Sequence, residues 1–313
     1  MISGLFQPPA LLGVDLGPAQ VRLIQLGLRR RRRSTHYCVE ACATQPVQDP
    51  TPGINYATAV SRALRQAVQH AGTRTRQVAV ALSASDVVSK TLTLPAISAD
   101  EMVHRVRLEA AEQFPFPMEE AALDFVTLGP SATSLHQVEV LLVAARREAV
   151  DQCVAIVEAA DLNCQLVDSL PLVMQRAYQT FCQPQTADDV AYALLDTNHH
   201  HCHLFVFMGD ILTYQQSTPA TADQMLRIAC EQLQTHLHTE TPLTGLWLAG
   251  PCAGSIAEPL STHLNIPIAF ANPFIRMTLR SDVPVLSPDH EAPCMLTACS
   301  LALRRFDLHH GSY

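Results

Sequence analysis

Two aspartates sit at matching places in this chain of 313 residues. Asp15 closes the apolar stretch Leu11-Leu-Gly-Val-Asp-Leu-Gly17, and Asp196 closes the stretch that starts at Ala191; a short turn and a second strand pattern follow each, Val21 to Leu28 and His203 to Met208. A third turn, Ala249-Gly-Pro-Cys-Ala-Gly254, opens a helix. Three such turns around a cleft can surround phosphates with backbone N–H groups while the carboxylates hold a metal ion or its water. The chemistry this predicts is binding of ATP with Mg2+. Its residues are Asp15, Gly17, Pro18, Ala19, Gln20 and Arg22 from the first turn, Asp196, Thr197, Asn198 and His199 from the second, and Gly250, Pro251, Cys252 and Ala253 from the third. Asp15 and Asp196 are the expected metal pair, the alternative being that each caps its own turn.

Other chemistry-bearing groups read differently. His199, His200, His201 and His203 surround Cys202, all zinc-ligand types. Neighbours on a strand point to opposite faces, so His201 and His203 can share an ion and the whole run cannot. Arg29 to Arg33 is an unbroken run of five arginines, expected as a solvated hairpin tip or as a contact with anionic lipid headgroups. The net charge of −8 argues against a general nucleic-acid binder, so no DNA is expected. Ten cysteines without a CxxC pair, and no N-terminal signal pattern, suggest thiols in a reducing cytoplasm.

The elements that must position these groups follow from hydrophobic period. Residues of apolar type make up 48% and charged residues 16%, enough for a packed body of two lobes and not for a disordered chain. No run approaches the ~18 apolar residues of a bilayer span. A helix with Val60, Leu64, Ala67 and Val68 inward ends at Gly72. From Val78 the pattern turns to strands, with Lys90, the single lysine, interrupting the apolar positions of 87–94. Ser98 and Glu101 form a capping box for a helix that buries Val103, Val106 and Ala110 and stops at Phe114-Pro-Phe-Pro117. Two more strands and a helix to Ala160 close an inserted α+β subdomain. A polar link at 183–189 marks a lobe boundary, after which the strand–Asp–turn theme repeats. Trp247, on an apolar strand, is expected in the core. The predicted divisions are 1–77 with 161–185 as the first lobe, 78–160 as the insertion and 186–313 as the second lobe.

The chain resembles the PilM family, actin-like proteins of type IV pilus assembly related to FtsA. The resemblance rests on Gly13-Val-Asp-Leu-Gly17 with Val21 to Leu26, on Val106-Arg-Leu-Glu-Ala-Ala-Glu-Gln-Phe-Pro-Phe-Pro-Met118 with Leu123-Asp-Phe125, and on Val138 to Arg146, Ala271-Asn-Pro-Phe274 and Ala298 to Arg304. It implies an α/β, two-lobed, actin-like fold of duplicated ribonuclease-H-like halves with an inserted α+β subdomain. It also implies a cytoplasmic adaptor, peripheral to the bacterial inner membrane, that grips the cytoplasmic tail of a PilN-type membrane protein and meets other platform components. The expected peptide groove lies between first lobe and insertion, on Val88, Lys90, Leu92, Val103, Val106, Arg107, Phe114 and Phe116.

Departures from the family pattern bear on the nucleotide. Pro18 offers no N–H, imidazoles stand where small hydroxyl residues are usual after Asp196, and Pro251 and Cys252 interrupt a glycine run; Arg22 keeps a positive charge. Each hydrogen bond to a charged group contributes about 1.5–3 kcal/mol, so losing two or three predicts weak or absent ATP hydrolysis. Two rival readings stand beside the adaptor: a working ATPase or small-molecule kinase, and a DNA-uptake or filament-forming actin homologue.

Overall fold

The computed structural model describes residues 9–31, 34–48, 55–114, 116–131, 134–183, 190–198, 200–237, 242–284 and 286–307. It divides into two compact units, Leu82–Ala155 and the remainder, Met1–Ala81 with Ile156–Tyr313.

The larger unit begins with three antiparallel strands, β1 Leu12–Leu16, β2 Gln20–Arg31 and β3 Ser34–Pro46. Helix α1, Tyr56–Ala71, follows because Asn55 accepts a hydrogen bond from the Thr58 N–H at 2.9 Å to start it and Gly72, at φ 62°, ends it. Strand β4, Gln77–Leu82, runs parallel to β1 through Leu12↔Val78 and Gly13↔Ala79. The smaller unit thus begins at Leu82 and not at the expected residue 78, because β4 pairs within the first sheet, between β1 and β8. The smaller unit then supplies β5 Val87–Pro95, α2 Ala99–Gln113, β6 Ala121–Ser131 and β7 Ser134–Arg146, and α3 Arg147–Glu158 carries the chain back. Strand β8 Asn163–Ser169 and helix α4 Leu170–Ala177, with a π-helical turn at Tyr178–Cys182, finish the first half.

The second half repeats the order. It has β9 Ala191–Thr197, β10 His201–Met208 and β11 Ile211–Pro219, helix α5 Met225–Leu237, then β12 Leu243–Ala249, α6 Ala253–His263 and β13 Ile268–Phe270. A short strand β14, Thr278–Leu279, and helix α7, Leu296–Asp307, end the described chain. The first sheet runs β14-β3-β2-β1-β4-β8 and the second β11-β10-β9-β12-β13. Removing β14 leaves the same order, meander then parallel neighbour then edge, in both. The duplication expected from Asp15 and Asp196 is present, each aspartate second from the end of its half's first strand. The polar link at 184–189 lies outside the described residues.

Each half has its own core. Leu195, Leu204, Phe270, Leu233 and Ile256 belong to the second sheet and its helices, while Ile24, Leu26, Val39, Met295 and Ala302 join the first sheet to α7. Helix α7 lies so close to β1 that a Cβ at Gly13 would sit 2.0 Å from the Ala298 carbonyl oxygen. Only glycine fits there, which explains the small residue beside an otherwise bulky apolar strand. The Asn-Pro-Phe segment carries the chain between the sheets: Asn272 accepts from the Phe274 N–H at 2.9 Å, Phe274 packs on the first half's core, and β14 then pairs with β3. Trp247 is half-buried, beside a recess lined by Phe181, Pro273, Ile275 and Arg276, and not in the core.

In the insertion the sheet order is β5-β7-β6, so β5 and β6 are edges. Leu94, Met102, Val106, Ala110, Phe114, Val140 and Leu142 form its core. Ser98 and Glu101 make the reciprocal capping box that their spacing predicts.

Candidate functional site

Asp15 and Arg22 are cross-strand partners on β1 and β2. Side chains at paired antiparallel positions share a face, and here they meet: Arg22 Nη1 donates to Asp15 Oδ2 at 3.0 Å, while Nη2 donates to Gln20 Oε1 at 2.8 Å. Arg22 is 5% exposed, and the Asp15 side chain 24%. The turn between them is tight, because a Cβ at Gly17 would lie 2.7 Å from the Gln20 carbonyl oxygen. Pro18 adds rigidity and no donor. The Ala19 carbonyl accepts from the Val47 N–H at 2.8 Å, which ties the turn to the end of β3.

The second turn satisfies itself. Asn198 Oδ1 accepts from the N–H groups of both His200 and His201, at 2.8 and 2.7 Å, and the Asn198 N–H donates to the His201 carbonyl at 3.0 Å. Thr197 is buried with its hydroxyl donating to the Ala249 carbonyl at 2.9 Å. An anion would need these same donors. His199, expected to crowd the phosphates, lies outside the described residues.

The third turn closes against the second. Gly250 has φ 85°, a region L side chains rarely adopt, and a Cβ there would stand 2.0 Å from the Thr197 carbonyl oxygen. Its N–H donates to the Pro293 carbonyl at 3.2 Å, and the Ala253 N–H turns back to the Gly250 carbonyl, also at 3.2 Å. Cys252 Sγ lies 3.8 Å from the Asn198 carbonyl. At Gly254, in the first turn of α6, a Cβ would meet His290 Nδ1 at 2.8 Å, so the start of α6 is covered by the chain's own segment.

Burial dominates the charges. It raises the Asp196 carboxyl to about 7, Asp15 adding to the rise and Arg22 opposing it. Burial also raises Asp15, and Arg22 draws it back only in part. Asp15, Arg22 and Asp196 thus form one electrostatic group. The cross-strand partner of Asp196 is His203, the counterpart of Arg22 in the second half. His203 is buried and pushed down to about 4 by burial and then by His201, so it is neutral at physiological pH. Its Nε2 lies 3.4 Å from Asn198 Nδ2, its Nδ1 has no partner among the described residues, and its ring stacks on His201 at 5.5 Å. Among the described residues no three His, Cys, Asp or Glu side chains converge as a metal-ligand set.

The residues present do not fit a magnesium site. That ion demands near-octahedral oxygen ligands, whereas Asp15 is engaged by the Arg22 guanidinium and no third acidic, His or Cys ligand joins it among the described residues.

The expected partner residues fall into three groups. Val106 and Phe114 are core residues of the insertion and face no partner. Leu92 and Phe116 are half-buried against that core; Phe116 stacks on Phe114 and lies under the Arg146 guanidinium, 5.6 Å from its carbon. Val88, Lys90, Val103 and Arg107 are exposed, and Lys90 donates to Gln113 Oε1 across to the end of α2. Leu108, 67% exposed next to Arg107, was not singled out by periodicity, although its position outside the Val106–Ala110 stripe marks it as outward-facing. In the arginine run, β2 and β3 extend further than expected, with Arg29↔His36 and Arg31↔Ser34 paired; Arg32 and Arg33 lie outside the described residues. Arg29 is exposed. Among the described residues no helix is long and apolar enough to cross a membrane.

A family model described as type IV pilus assembly protein PilM matches residues 13–236. The structure is similar to that of the PilM–PilN type IV pilus biogenesis complex, with a TM-score of 0.73 at 20% identity, covering 94% of this chain and 98% of that one. Weaker likenesses include the cytoplasmic domain of EpsL, an inner membrane component of the type II secretion system of Vibrio cholerae, with a TM-score of 0.46 at 11% identity over 97% of this chain and 96% of that one. A protein of actin-like ATPase fold from Bacteroides thetaiotaomicron gives 0.46 at 8% identity over 96% and 98%. The fold is α/β and actin-like, with duplicated halves and an inserted α+β subdomain.

Proposed function

Since the chain belongs to the type IV pilus assembly protein PilM family, we propose that it is a cytoplasmic adaptor of the pilus or a related secretion platform that binds the cytoplasmic tail of a PilN-type membrane protein. The observation that carries this is the family match over more than half the chain, joined to a fold shared with the PilM–PilN complex. The insertion offers chemistry suited to an extended peptide: the edge strand β5 with Val88 and Lys90, and the outer face of α2 with Val103 and Arg107. Strand-edge hydrogen bonds give such a peptide affinity, and apolar anchors give it register. Val106, Phe114 and Phe116 act from beneath, by holding α2 on the sheet.

The nucleotide site is degenerate in this reading, and the adaptor works without turnover. N–H groups of the second and third turns are used within the chain, and Pro18 offers none in the first, which supports weak or absent hydrolysis. The adaptor rests at the inner face of the inner membrane, with the arginine hairpin near anionic headgroups at about 1 kcal/mol per basic residue. Titration of a labelled PilN-type tail peptide tests the function: saturable binding supports it, and absence of binding to both the nucleotide-free and the ATP-treated protein rejects it.

A further inference from the structure

The strand–Asp–turn pattern predicts a divalent cation at the paired carboxylates, yet the chain brings a cation of its own. Arg22 is buried, and both terminal nitrogens of its guanidinium are held, one by Asp15 Oδ2 and one by Gln20 Oε1. A guanidinium keeps its charge at every physiological pH, and a planar fork fixed at both tips is pre-organised. Register places it: Asp15↔Arg22 on β1 and β2 is matched across the duplication by Asp196↔His203 on β9 and β10. The second half puts a neutral, buried imidazole at that position, so the positive charge enters from the first half.

We infer that Arg22 is the resident cation of this centre, neutralising the Asp15–Asp196 pair from within the chain and excluding a divalent ion. The inference rests on reading the three turns as a degenerate phosphate site and names what replaced its metal. A hard cation would have to displace Arg22 from Asp15, and the guanidinium, tied to Gln20 and enclosed, would then be a buried charge beside an ion of the same sign. Replacement of Arg22 by a neutral side chain leaves Asp15, and the Asp196 carboxyl that feels its charge, without a counter-charge, the condition under which a divalent ion is attracted.

Mn2+ is the probe, added to the full chain without nucleotide and followed through the resonance of the free ion. Wild type takes up no Mn2+ saturably. Arg22→Gln gains saturable uptake, with affinity rising about tenfold or more, the size of one charge-assisted contact, while Arg22→Lys, which keeps the charge, gains none. Saturable uptake by wild type, or a folded Arg22→Gln protein indifferent to Mn2+, overturns the inference. Should Arg22→Gln not fold, melting of wild type with ATP in Mg2+ and in EDTA decides: coincident melting temperatures support it, and a rise that requires Mg2+ sinks it. An equal rise in both would reject the degenerate site and leave Arg22's role standing, whereas loss of tail binding would touch neither.

Discussion

Arg22 Nη1 lies 3.0 Å from Asp15 Oδ2 across one rung of the β1–β2 ladder, joining two residues seven apart in sequence inside a turn that would otherwise present a bare carboxylate. Breaking one side of a buried pair leaves a charge uncompensated, at about 3–5 kcal/mol when burial is complete. Asp15 keeps some solvent, so Arg22→Met is expected to destabilise by about 2–3 kcal/mol. Adding Asp15→Asn should recover part of that loss. Urea midpoints for the two single variants and the double give the coupling directly, and additive losses would show that the pair does not interact.

Asp196 makes stability depend on pH in an unusual sense for a carboxylate. Its folded value, about 7, lies above its ordinary 3.8, so the folded protein holds a proton that the unfolded chain releases. This contribution is fully present below the unfolded value, declines as pH rises from about 4 toward 7, and is gone above. Asp196→Asn removes the titration. Relative to wild type, the variant should therefore gain stability between pH 5 and pH 8 by roughly a few kcal/mol. Denaturant midpoints at the two pH values check the sign, and a parallel dependence in both proteins would contradict it.

Gly250 is the place where the second and third turns touch. Both its positive φ and the 2.0 Å approach to the Thr197 carbonyl oppose any side chain. Gly250→Ala should lower stability by about 3 kcal/mol or more. Gly72→Ala, with φ 62° and open space around it, should cost only about 1 kcal/mol. The contrast, read in thermal melts, separates close approach from backbone strain.

On the insertion, exposure separates binding from folding. Val103→Asp and Leu108→Asp replace outward residues, 40% and 67% exposed, and should leave melting within about 0.5 kcal/mol of wild type. If the tail peptide docks on the outer face of α2 as proposed, Val103→Asp should abolish its capture. Val106→Asp, at a residue 1% exposed, should instead unfold the subdomain. A Val103→Asp protein that binds the peptide normally would move the docking surface elsewhere.

Much of this architecture is written in local pattern. Asp15 and Asp196 are legible because an apolar run, an acid and a turn recur in the same order, and the capping box at Ser98 and Glu101 is legible because its partners are three residues apart. The Asp15–Arg22 bridge is not, since it needs the rung count across the Gly17–Pro18 turn. Nor can sequence show that Asn198 caps its own turn or that Thr197 bonds Ala249, 52 residues away, because long-range satisfaction of donors is decided by packing. The arginines defeat a simple reading for the same reason: pairing with β3 carries strand through residues whose charge suggests a loop. Val106 was read correctly as an inward residue and also assigned to the partner; a helix position cannot serve both while the core is intact.

The most direct measurement is calorimetric titration of the full chain with a PilN-type cytoplasmic tail peptide, in EDTA and without nucleotide. The account predicts saturable one-to-one binding under these conditions, unchanged by Mg-ATP. Binding that appears only after Mg-ATP is added, or heat no greater than that of a scrambled peptide, would contradict it.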